Sequence, residues 1–123
     1  PTPTAAAIAA AGDAALEACR RGITEPAAVD RAAAMCFYDA ARRHGHWSDV
    51  RRELEVLVAE PGASPMLRLT LAAVMADTGQ LDRAVTLAAE VLESLPADAA
   101  VGDRASTLAN LGTWLRTRGR YDE

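Results

Sequence analysis

The chain contains no lysine: all thirteen of its basic residues are arginine. That pattern fits GC-rich coding bias and carries no functional weight. Aromatic residues are scarce at 4%, although half of the 123 residues are apolar. Alanine makes up most of the difference, which favours closely packed helices, because Ala has the best helix propensity and lets backbones approach. No stretch shows the β-branched alternation of a strand, so a sheet is excluded. No apolar run approaches the ~18 residues of a membrane span, so no membrane role is expected. The Ala-rich opening lacks a basic lead-in and is broken by Gly12 and Asp13, which makes it a poor secretory signal. A net charge of −4 and a pI of about 5.2 offer no concentrated basic face, so nucleic acid is not an expected partner. The chain has no phosphate loop, no GxSxG and no dinucleotide glycine fingerprint, and no enzymatic role or cofactor is expected. His44-Gly45-His46 lacks nearby partner ligands, and an i, i+2 pair of imidazoles across a turn is awkward, so no metal is expected. Cys19 and Cys36, the two cysteines, fall on different predicted helices without metal-ligand spacing. They are expected as buried free thiols in a reducing cytoplasm.

What the sequence does contain is helical punctuation. A first helix is expected over residues 4–22, with a weak stripe of Ile8, Ala15, Leu16 and Cys19, stopped by Arg20-Arg21-Gly22. Gly12 inside it costs about 1 kcal/mol relative to Ala. Thr24-Glu25-Pro26 predicts an N-cap at Thr24 and a second helix from about Glu25 to His44. Further helices are expected over about 48–60, 65–78, 81–95 and 99–118, separated by the breaker Pro61-Gly62-Ala63-Ser64-Pro65, by Gly79 and by Pro96-Ala97-Asp98.

One phrase recurs. Gly45-His46-Trp47-Ser48-Asp49, Gly79-Gln80-Leu81-Asp82-Arg83 and Gly119-Arg120-Tyr121-Asp122-Glu123 each place a large apolar residue two after a glycine. Gly45 and Gly79 are 34 residues apart, and Gly79 and Gly119 are 40 apart. Aligned on the glycines, position −8 holds Phe37, Leu71 and Leu111, and position −7 holds Tyr38, Ala72 and Gly112. Position +5 holds Val50 and Ala84, and position +17 holds Gly62 and Pro96. Each glycine is expected to end one helix and turn the chain into an antiparallel partner.

This pattern resembles the tetratricopeptide repeat, a 34-residue helix–turn–helix unit with a leucine–small pair, a glycine before the turn and a closing proline. Leu71-Ala72, Gly79, Leu81, Ala84 and Pro96 match it; Phe37-Tyr38 and Arg68 depart from it. The longer second spacing, with Asn110 before Leu111, is similar to the repeats of kinesin light chains and of many bacterial signalling proteins. The resemblance implies an all-α, right-handed superhelical array of antiparallel helix pairs, with about six helices and a truncated seventh. It divides the single domain into a capping helix (4–22), repeat 1 (25–64), repeat 2 (65–98) and a partial repeat 3 (99–123).

Such arrays present their first helices along a concave groove. On the face opposite the buried pair, positions i, i+3, i+7 and i+10 place Ala32, Met35, Asp39 and Arg42 there from the first unit. Met66, Leu69 and Ala73 follow from the second, and Thr113 and Arg116 from the third, with Arg43 and Asn110 at the margin. An apolar middle flanked by arginines suits an extended or helical peptide bearing acidic residues. The chaperone-terminus clamp of the family uses lysines that this chain lacks. Two functions stay open. One is a peptide- or protein-binding scaffold, the interaction or sensor part of a larger bacterial cytoplasmic regulatory protein. The other is a self-association module, in which Leu108, Leu111, Trp114 and Leu115 of the incomplete third repeat lack their covering helix.

Overall fold

Capping chemistry sets the helix boundaries in the computed structural model, which describes the backbone of residues 2–122 and the side chains of residues 2–120. Six helices follow one another: α1 (Ala5–Arg21), α2 (Arg31–His44), α3 (Trp47–Ala59), α4 (Pro65–Asp77), α5 (Leu81–Ser94) and α6 (Val101–Asp122). No strand occurs among the described residues. The Thr4 hydroxyl accepts from the Ala7 N–H at 3.0 Å and starts α1. Gly45 and Gly79 adopt left-handed backbone, with φ of 66° and 86°. That conformation is open to glycine at no steric cost, and it lets the next amide close back on the helix. The His46 N–H reaches the Ala41 carbonyl at 3.2 Å, and the Gln80 N–H reaches that of Met75 at 2.8 Å.

The packing is that of a helical repeat array. Each of α2 to α5 packs on its successor, and α2, α4 and α6 also pack in series, α2 on α4 and α4 on α6. Alanine makes the crossings close: Ala34, Ala41, Ala72, Ala84 and Ala88 are completely buried among Phe37, Val50, Leu54, Leu67 and Val74. Neighbouring helices bury one another's apolar stripes, which no pair could do alone. The central helix α4 is covered on nearly all sides.

The structure departs from several of these expectations. The second helix begins at Arg31, capped by the Asp30 carboxylate accepting from the Ala33 N–H at 2.8 Å, and not at Thr24. Pro26–Ala28 forms only a single tight turn, because Val29 is extended and buried and its carbonyl is claimed by Ser64. Gly119 does not turn the chain, and α6 runs through it to Asp122. A glycine permits a left-handed turn without imposing one. At Gly45 and Gly79 the turn is held by Trp47 and Leu81, which pack back onto the core. The expected seventh helix does not form among the described residues, and Glu123 lies outside them. Gly112, which holds position −7 of the pattern as the buried Ala72 does, meets only the end of its own helix's Arg116.

The cysteines also depart from expectation. Cys19 and Cys36 are joined by a disulfide that ties α1 to α2, with Cα atoms 5.5 Å apart. Disulfides persist in oxidising compartments and are rare in cytosolic proteins. The expectation of two free thiols therefore fails, and with it the argument for a reducing cytoplasm.

Ser64 ties the start of α4 to the segment before α2. Its buried hydroxyl donates to the Val29 carbonyl and accepts from the Met66 N–H at 3.2 Å, while its own N–H reaches the Pro26 carbonyl at 2.8 Å. Ser64→Ala removes the α4 cap and leaves a buried carbonyl short of a donor. It is expected to cost about 1–2 kcal/mol, measured by urea unfolding.

Candidate partner-binding groove

The helices α2, α4 and α6 converge on a cavity of about 200 Å³, lined by Met35, Tyr38, Ala73, Asp77, Asn110 and Trp114. Each helix supplies two residues, three or four apart, which is the spacing that puts side chains on one helix face. Met35 is exposed, Asn110 half-buried, and Trp114 only 8% exposed. The Tyr38 hydroxyl donates to the Asp77 carboxylate, and its ring meets Trp47 edge-on at 5.8 Å. Burial, and then the bond to Asp77, push the Tyr38 phenol up to about 12, so it stays a donor at neutral pH. The cavity thus joins apolar and aromatic surface to one carboxylate and one amide. That mixture suits a side chain with an apolar body and a hydrogen-bonding tip.

The residues expected to line the groove do not stay together. Met35, Ala73 and Asn110 line the cavity. Arg42 is exposed one turn beyond Tyr38, and its charge acts on that phenol. Met66 and Leu69 belong to the core, at 2% and 6% exposure, because α4 is enclosed by neighbours and has no free apolar face. Asp39 and Arg43 instead line a separate cavity of about 430 Å³ against α1, beside Ala15, Ala18 and the disulfide. Thr113 and Arg116 are exposed on α6, where the guanidinium reaches the Thr113 hydroxyl at 3.4 Å and lies 3.6 Å from where a Gly112 Cβ would stand. Arg116 therefore sits away from the cavity.

Tyr38, Asp77 and Trp114 were missed. A signal for Tyr38 was present: it stands where the repeat pattern has a small residue, and a bulky phenol there has to turn its hydroxyl outward. Trp114 was assigned to an uncovered face of α6, yet it is the residue by which α6 closes the cavity.

A further side-chain cluster corrects the expectation that the turn histidines lack carboxylate neighbours. His46 Nε2 lies 2.8 Å from Asp13 Oδ1 and 3.2 Å from Asp49 Oδ2. Its ring rests on Gly12, where a Cβ would stand 3.2 Å from three ring atoms. Among the described residues, these three side chains form the one group with ligand atoms close enough for a cation, within 4.8 Å of one another. As they stand, the pairings tie α1 to the α2–α3 turn, together with Arg20, which bridges to Glu53 at 2.7 Å. Gly12 is the close approach this docking requires, which accounts for a glycine inside α1.

A family model described as Tetratricopeptide repeat matches residues 104–123. No curated protein and no solved structure matches the chain. The matched stretch covers most of α6. Repetition in the preceding helices rests on their own alternation of packing and on the matched turns at Gly45 and Gly79.

Proposed function

We propose that the chain is a non-catalytic protein-interaction scaffold that holds a peptide or partner helix across α2, α4 and α6. The observation that carries this reading is the convergence of three alternate helices on one cavity with Tyr38, Trp114, Asp77 and Asn110 in its walls. Consecutive first helices meeting at a shared concavity are how helical repeat arrays bind extended ligands, and the tetratricopeptide match over α6 supports the same reading. The partner would place an apolar side chain against Met35 and Trp114. Its backbone would be held by the Asn110 amide, and an acidic residue would reach Arg42. Arg116 and Arg43 are left out of this contact, because they flank other surfaces. The role in a larger bacterial regulatory protein belongs to the same proposal.

The test is a peptide array probed with the chain, followed by titration of the best binders against Met35→Glu and Arg42→Glu. Both side chains are exposed, so both variants are expected to keep the wild-type melting temperature. Each is expected to weaken the same peptides about ten-fold or more, roughly 1.4 kcal/mol. Peptides that bind both variants as tightly as wild type would place the site elsewhere.

A further inference from the structure

The face of α6 turned away from the cavity is uncovered, and it is patterned. Val101, Leu108 and Leu115 are 86%, 51% and 40% exposed, at intervals of seven residues. Between them, also at intervals of seven, stand Ala105, Gly112 and Gly119. On a helix, seven residues fall about 20° short of two full turns, so both sets run along one narrow stripe. The stripe alternates large and small over eighteen residue steps, about 27 Å.

Nothing among the described residues accounts for the two glycines. Glycine is the poorest helix former after proline. Elsewhere in the molecule, Gly12 is matched by the ring that presses on it. By contrast, a Cβ at Gly119 would meet nothing within 4 Å, and one at Gly112 only the end of the exposed Arg116 side chain, 3.6 Å away. Their missing side chains leave open space along the stripe. Glycines on a helix surface serve where another backbone approaches closely.

We propose that this stripe docks against the same stripe of a second copy of the chain, antiparallel, with the two-fold axis at the level of Asn110. The order of residues favours a second copy over an unrelated helix. With the axis there, Val101 faces Gly119, Ala105 faces Leu115 and Leu108 faces Gly112, and the symmetry repeats each pairing. Every large side chain then enters the space over a small one, which is the self-complementarity that an isologous contact requires. An unrelated partner would need the large residues but not small ones in matching register. The cations at the stripe's edges have partners along their own chain: Arg104 donates to the Pro96 carbonyl at 2.9 Å and Arg116 to Thr113. One helix stripe is a small contact, and interfaces under about 1,200 Å² are usually transient, so the pair should form and separate with concentration.

Sedimentation equilibrium of the whole chain from about 1 µM to about 1 mM tests this. A reversible monomer–dimer equilibrium is expected. Gly112→Leu should weaken it at least about ten-fold by setting leucine against Leu108, with helicity kept or raised. Leu108→Gly should weaken it comparably by leaving two glycines opposite each other. The double variant Leu108→Gly with Gly112→Leu restores every large–small pairing only in this antiparallel register, and it should recover dimerisation. A chain that is monomeric throughout the range overturns the proposal, as does a Gly112→Leu chain that dimerises like wild type. A helical double variant that stays monomeric overturns the register.

Discussion

Phe37→Ala is expected to remove about 3–5 kcal/mol of stability, the largest single loss in the molecule. Phe37 is the chain's one phenylalanine, and it is fully buried at the centre of α2. It belongs to a cluster that joins Leu16 and Cys19 of α1, Val50 and Leu54 of α3, and Leu67 and Leu71 of α4. Truncation would leave a cavity among helices whose crossings are already set by alanines. Such crossings cannot tighten further to fill it, so the cavity cost adds to the lost burial. Urea unfolding followed by far-UV circular dichroism measures it. A loss under about 1 kcal/mol, the cost of one buried methylene, would mean that α2 repacks freely and that the core is not the one described.

Opening the Cys19–Cys36 bond is the second large effect. The two cysteines are 17 positions apart in the sequence, and a loop of this size is worth about 3 kcal/mol on the chain-entropy model. The loss should be concentrated in α1. That helix buries only Gly12, Leu16 and Cys19, and otherwise docks through exposed pairs such as Arg20–Glu53 and His46–Asp13. Surface pairs of this sort contribute little on their own. Hydrogen exchange on the Cys19→Ser, Cys36→Ser chain should show α1 amides losing protection while α4 and α5 keep theirs. Uniform loss across all helices would show that α1 is integral to the core and not an added cap.

Both predictions concern contacts that local sequence signals could not reveal. The helices themselves were legible: Arg20-Arg21-Gly22, Pro61 to Pro65 and Pro96-Ala97-Asp98 stop or start them by backbone chemistry that acts within a few residues. So was the phase of the array, because Gly45 and Gly79 adopt the left-handed turn that their spacing suggested. Met35 and Asn110, singled out from the sequence, line the cavity shared by α2, α4 and α6, and Arg42 is exposed beside it. Most of the errors have a common origin. Thr24, Met66 and Leu69 each satisfy a local rule and are overruled by what packs around them from a distance, whereas Gly119 stays helical because a glycine permits a turn without imposing one. Ser64 holds residues 26–29 out of the helix, and four neighbours enclose α4.

By itself the sequence determined an all-helical chain, its breakpoints, and the register of large and small residues along each helix. These follow from propensity, capping and periodicity, all of which act over one or two turns. Tertiary structure alone decided that Cys19 meets Cys36, that Asp13 and Asp49 converge on His46, and that Tyr38, Asp77 and Trp114 share a cavity. Those meetings depend on how far each helix rotates about its axis when it packs. That rotation is set by side chains tens of residues away, which a local pattern does not contain.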